Sequence, residues 1–193
     1  MSKIYEYGSY DDYIKAQKDT TNFKYGKINY VKKGTIVAIH EALKNENVEA
    51  ILCHGTRSGG EQKLFLKQFK CYVWGSELCE KAQNDAMTTI WDFNKVNEDW
   101  VGKFDIVYTN SFDHCITPVE TLKVWRDQLK DGGRLCIDWS NSQNGKGVTI
   151  QDPLNATDKE VTAFAEEAGM YLEQRILDGK SAHAGTVLTY RKK

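Results

Sequence analysis

Residues 49–61, Glu-Ala-Ile-Leu-Cys-His-Gly-Thr-Arg-Ser-Gly-Gly-Glu, constrain the fold more than any other stretch of the chain. A short apolar run breaks there into a glycine-rich turn, and a helical pattern starts at Gly60 or Glu61. Strand, glycine turn and helix make the first half of a βαβ unit, whose helix N-terminus faces the ligand crevice. A nucleotide-type ligand is the expectation that follows.

The rest of the chain extends this unit. From residue 48 onward, apolar strand patterns at 48–53, 71–74, 87–90, 104–109 and 134–139 alternate with amphipathic helix patterns at 60–68, 78–85 and 118–129. Asp131-Gly-Gly133 reads as a turn, and Pro118 stands where a helix should begin, which suits its fixed φ and missing donor. Near-continuous apolar strands between such helices predict a parallel sheet covered on both faces. The tail differs, with a helix at 157–168 followed by strand-like runs at 170–177 and 186–190, joined through residues 178–185 as a hairpin. The expected fold is therefore α/β: a doubly wound, mostly parallel seven-stranded sheet with helices on both faces and an antiparallel C-terminal hairpin. Upstream, residues 9–23 read as a short helix with Ser9 as N-cap, and Ile36, Ile39, Ala42 and Leu43 fall on one buried stripe of a second. At 193 residues the chain is too short for a dinucleotide domain plus a full substrate domain. A single domain over 1–193 is expected, with residues 1–47 as a helical segment packing on or capping it. Residues 140–147 form the one obvious candidate for a mobile loop.

Formal net charge is -1, and the lysines are interspersed with acids, so no basic field exists to hold a polyanion. Nucleic acid is not expected as a partner. The five cysteines show neither a CxxC pair nor zinc spacing, and three lie in apolar runs, so free thiols in a reducing, cytoplasmic setting are expected. No window reaches the roughly 18 apolar residues of a membrane helix, and the N-terminus lacks a signal-peptide core. No membrane association is expected.

In an open α/β sheet, ligands collect outside the carboxyl ends of the strands. Four such ends carry informative residues. The first is the glycine turn itself, where backbone can approach a ligand closely, though tight packing of turn on helix accounts for the same glycines. The second is Glu77, which follows Gly55 by 22 residues, the spacing that puts an acid on ribose hydroxyls. The third is Trp91-Asp92-Phe93, a carboxylate between aromatics suited to an exocyclic amine and a base. The fourth is Thr109-Asn-Ser-Phe-Asp-His114, in which Asn110 and Ser111 can hold a polar tail and Asp113 and His114 can meet a substrate proton. A histidine bonded to backbone in a structural role is the competing reading of His114.

Taken as a set, these segments, together with Leu129-Lys-Asp-Gly-Gly-Arg134, resemble the class I S-adenosylmethionine-dependent methyltransferases, with a Rossmann-like fold, from about residue 48 to 139. The terminal hairpin also suits that fold, whose seventh strand is inserted antiparallel. The resemblance implies that S-adenosyl-L-methionine is the cofactor and S-adenosyl-L-homocysteine the product. It implies a turn of His54, Gly55, Thr56, Arg57, Gly59 and Glu61 around the methionine part, Glu77 and Leu78 at the ribose, and Trp91, Asp92 and Phe93 at the adenine. Asn110 and Ser111 then line the transfer pocket. Asp113 or His114 serves as catalytic base where the acceptor is a hydroxyl. Cys53 stands in place of the family's usual strand-one acid, Arg57 in place of a turn glycine and Asp131 in place of a proline. The turn Gly-x-Arg-x-Gly-x-Glu is similar to that of a less common branch, in which Arg57 and Glu61 pair to fix the turn. The implied activity is methyl transfer to a small or mid-sized acceptor, a metabolite or saccharide. The Tyr5, Tyr7, Tyr10 and Tyr13 segment and the 140–147 loop are expected as acceptor walls. Two other readings stand beside it: a nicotinamide-dependent (NAD) oxidoreductase, disfavoured by the absence of G-x-G-x-x-G, and a non-catalytic module that binds the cofactor.

Overall fold

The structure, a computed structural model, describes residues 2–27, 30–85, 87–140, 143, 147–177 and 185–193. Most of the 140–147 loop and nearly all of the 178–185 connection lie outside the described residues. In chain order the elements are β1 (Lys3–Ile4), α1 (Tyr10–Lys24), α2 (Lys33–Ala42), β2 (Ala50–His54), α3 (Gly60–Phe69), β3 (Tyr72–Glu77) and β4 (Thr88–Ile90). Then come β5 (Phe104–Thr109), α4 (Pro118–Gln128), β6 (Leu129–Ser140), β7 (Leu154–Asn155), α5 (Asp158–Glu167), β8 (Met170–Leu177) and β9 (Gly185–Lys192).

Seven strands form one sheet in the order β4-β3-β2-β5-β6-β9-β8. From β4 to β6 all neighbours are parallel, while β9 runs antiparallel to both β6 and β8, as the hairpin pattern predicts. The two-residue side-chain period of a strand sends alternate residues to opposite faces. Ile51 and Cys53 of β2 join Ile36 and Ile39 of α2 and Phe65 of α3 in one core layer. Leu52, between them, joins Leu122 and Trp125 of α4 and Val161 and Ala165 of α5 in the other. Both faces of β2 are thus sealed, which is why its sequence is apolar from Ala50 to Cys53. The first helix begins where Ser9 Oγ accepts from the Asp12 N–H at 3.1 Å, and α5 begins in a reciprocal capping box of Thr157 and Glu160.

Two expectations need correction, and one sheet was not expected. The helix predicted over 78–85 is a short 3₁₀ turn, Glu80–Asn84. Its residues are shortened from both sides, because β3 runs on to Glu77, paired with β2 and β4, and β4 begins at Thr88. The turn predicted at 131–133 is instead an irregularity inside β6, where the register with β5 moves from Phe104↔Leu129 to Ile106↔Arg134. Gly133 fits there because a Cβ would lie 3.0 Å from the Lys130 and Phe104 carbonyl oxygens. Finally, β1 and β7 form a separate two-stranded antiparallel sheet that no sequence pattern announced.

Candidate functional site

A cleft of about 510 Å³, counting the space open to solvent, lies over the carboxyl ends of β2, β3, β4 and β5. Its floor is built from strand ends: Gly55, Arg57, Glu77, Leu78, Asp92, Phe93, Ser111 and His114. Its opposite wall is α1, through Tyr13, Gln17, Thr20 and Thr21.

The turn after β2 is wound tightly. Gly55 and Gly59 have φ of 72° and 74°, and Arg57 takes the left-handed region without being glycine, at φ 49°. A Cβ on Gly55 would lie 2.7 Å from both Cβ and Oγ of Ser111, so the ends of β2 and β5 meet at a distance only glycine permits. Three main-chain N–H groups hold the Glu77 carboxylate: Arg57 at 2.6 Å, Leu78 at 2.8 Å and Cys79 at 3.0 Å. Burial raises its pKa, and these donors and the Arg57 charge oppose the shift. Glu61, at the first turn of α3, is buried and accepts from Asn110 Nδ2 at 3.2 Å. Burial pushes its carboxyl up to about 7, against the smaller pull of its hydrogen bonds and of Arg57. The guanidinium of Arg57 also rests over the Tyr30 ring, 5.2 Å from its centroid.

At the end of the cleft beyond β4, Asp92 accepts from Tyr10 Oη through Oδ2, and from the Asn94 N–H and Nδ2 through Oδ1. The same Asn94 amide bonds Tyr13 Oη at 2.9 Å and accepts from Thr121 at 2.7 Å. Phe93 packs edge-on against Trp125, whereas Trp91 turns aside, donating Nε1 to the Lys95 carbonyl.

The two histidines at strand ends differ in kind. His54 is fully buried, bonded to Ser76 Oγ at 2.7 Å and Gln128 Oε1 at 2.8 Å, and stacked on Trp125. Desolvation lowers its pKa to about 4, so it is neutral. Its ring points into the core, and only its main chain belongs to the turn. His114 lines the cleft; its Nδ1 lies 2.9 Å from both Gln17 Oε1 and the Gln151 carbonyl, and its own carbonyl accepts from Tyr13 Oη. Asp113 is buried beside it, with a pKa raised first by desolvation and pulled back by the His114 charge.

The fold therefore gathers nine of the sequence-predicted residues, Tyr13 among them, around one cleft. Thr56 and Gly59 shape the turn from behind, with Thr56 accepting from Gln62. Glu61, Asn110 and Asp113 sit just beneath the lining. Sequence reasoning missed Gln17, Thr20 and Thr21 as cleft residues, although with Tyr13 they share one helical face at i, i+4, i+7 and i+8. It also missed Asp152, which lies beside His114.

No family model matches the chain, and no curated protein matches it either. Solved structures do. The Burkholderia thailandensis 1,6-didemethyltoxoflavin-N1-methyltransferase, with 1,6-didemethyltoxoflavin and S-adenosylhomocysteine bound, superposes with a TM-score of 0.72 at 17% identity, over 98% of this chain and 92% of that one. The N-methyltransferase NodS from Bradyrhizobium japonicum, in complex with S-adenosyl-L-homocysteine, gives 0.69 at 13% identity, over 92% and 98%. Magnesium protoporphyrin IX methyltransferase from Synechocystis, with S-adenosylmethionine bound, gives 0.63 at 13% identity, over 97% and 100%. The chain has the class I methyltransferase fold.

Proposed function

We propose that the protein is an S-adenosylmethionine-dependent methyltransferase of a small-molecule acceptor, working in a reducing, cytoplasmic setting. The observation that carries this reading is Glu77: a carboxylate fixed by three main-chain donors at the end of β3, facing the same cleft as the glycine turn and Asp92. The residues fit the cofactor. Glu77 retains acceptor capacity for the ribose hydroxyls, since each carboxylate oxygen accepts more than one bond. Asp92 is positioned to accept from the adenine amine with Phe93 and Leu78 as apolar walls, once Tyr10 yields its bond. Gly55 lets the backbone approach the methionine chain. Glu61, buried next to Asn110, supplies the negative charge for the methionine ammonium that Cys53 does not.

When bound, the cofactor supplies an electrophilic methyl on a sulfonium for in-line transfer. The chain's own contribution is positioning and water exclusion, with α1 forming the outer wall. Tyr13 and Gln17 set the acceptor side. Where the acceptor is a hydroxyl, His114 and Asp113 orient it at that end. The Burkholderia thailandensis enzyme binds 1,6-didemethyltoxoflavin, a small molecule, which supports an acceptor of that class. Calorimetric titration with S-adenosylhomocysteine, followed by methylation assays over hydroxyl, amine and saccharide acceptors, tests the reading. Binding of NADH in place of S-adenosylhomocysteine would overturn it.

A further inference from the structure

The acceptor end of the cleft holds three groups whose lone pairs converge. Asp113, His114 and Asp152 each offer a ligand atom within 4.8 Å of those of the other two, and His114 Nε2 lies 3.9 Å from Asp113 Oδ1 and from Asp152 Oδ1. The tautomer of His114 follows from its other nitrogen. Nδ1 faces the Gln151 carbonyl, which can only accept, so Nδ1 carries the proton. Gln17 agrees with this, because its Nε2 donates to the same carbonyl and its Oε1 is left facing the ring. In the neutral ring Nε2 therefore presents a bare lone pair to two carboxylates. Asp113 is 9% exposed, and its Oδ1 has no hydrogen-bond partner among the described residues. A buried carboxylate oxygen without a partner is costly, and its neighbour here is the half-buried His114, whose Nε2 lies 3.9 Å away at the cleft surface.

Three occupants would resolve the conflict: a proton on Nε2, a proton on Asp113 Oδ1, or a cation between the three groups. An imidazolium N–H bonded to carboxylate closes to about 2.7–2.9 Å, whereas 3.9 Å is too long for any hydrogen bond. Ligands about 2.0–2.2 Å from one ion lie roughly 3–4 Å apart. A histidine whose second nitrogen donates to a carbonyl is also the arrangement that orients a metal ligand. We propose that Asp113, His114 and Asp152 hold a divalent transition-metal ion, such as Mn²⁺, with positions left open for an oxygen of the acceptor. One imidazole and two carboxylates suit that class of ion. Asp152, whose side chain is 49% exposed, is free to close the widest gap. The acceptor's use of the ion rests on the methyltransferase reading; its binding does not.

Titration of the chelator-treated full chain with Mn²⁺, read from the electron paramagnetic resonance of the free ion, tests the site. One ion per wild-type chain is expected, held at least tenfold more weakly by Asp152→Asn, a change at a half-exposed side chain that leaves the core intact. S-adenosylhomocysteine affinity should stay within twofold in that variant. Equal Mn²⁺ binding by both proteins, or none by a wild type that binds S-adenosylhomocysteine, would overturn the proposal. So would a doubly protonated His114 at pH 7 in nitrogen NMR that added metal does not displace. Mn²⁺ binding without S-adenosylhomocysteine binding would uphold this site and instead sink the methyltransferase reading.

Discussion

Glu77 concentrates the chemistry of the cleft in one side chain. Its carboxylate accepts from the turn at Arg57 N–H and, on our account, also from the ribose. Hydrogen bonds to a charged group contribute about 1.5–3 kcal/mol. Glu77→Gln should therefore bind S-adenosylhomocysteine roughly ten- to a hundredfold more weakly by calorimetry. Affinity within twofold of wild type would detach Glu77 from the ligand. Its place in the cleft was legible in the sequence because a βαβ unit fixes the distance from glycine turn to second strand end. His54 was not legible in the same way. A strand's last residue can face the cleft or the core, and only the presence of Ser76, Gln128 and Trp125 around it shows which.

At the scale of elements, the turn, α3 and β4 are locked through Gln62, which is 1% exposed and donates to Thr56 at 3.3 Å and Thr88 at 2.9 Å. Gly75 makes room for it. A Cβ there would sit 1.9 Å from Gln62 Nε2 and 2.6 Å from Cδ. Gly75→Ala should cost about 1–3 kcal/mol through overpacking, lowering Tm by a few degrees in thermal unfolding. An unchanged Tm would show that Gln62 has another place to go. The strand pattern was readable nearly to the residue where both faces are buried, as in β5, because a short uninterrupted apolar run between turn residues fits a strand sealed on both sides. What escaped reading depends on contacts between distant segments. The two-residue strands β1 and β7 have no period to detect. The cleft wall on α1 and the approach of Asp152 to His114 are set by how the N-terminal segment and the 147–153 segment cross the sheet, which local periodicity does not encode.

Across the whole molecule, two buried groups with opposite shifts shape the response to pH. His54 is lowered from 6.5 to about 4, so between those values only the unfolded chain takes up its proton, and stability falls as pH falls. Glu61 is raised from 4.5 to about 7, so between those values the folded chain holds the extra proton, and stability rises as pH falls. Each shift corresponds to roughly 3 kcal/mol, and the two oppose each other between pH 4.5 and 6.5. Urea unfolding over that window should show His54→Gln gaining stability on acidification and Glu61→Gln losing it, with the wild type between them. Three parallel profiles would contradict both assignments.

The central claim is that the cleft between α1 and the strand ends is a nucleoside-sulfonium site. Calorimetric titration of the wild-type chain with S-adenosylhomocysteine tests it most directly. The account predicts one site per chain and a Tm that rises with ligand concentration. No heat and no Tm shift, with either S-adenosylhomocysteine or S-adenosylmethionine, would contradict it.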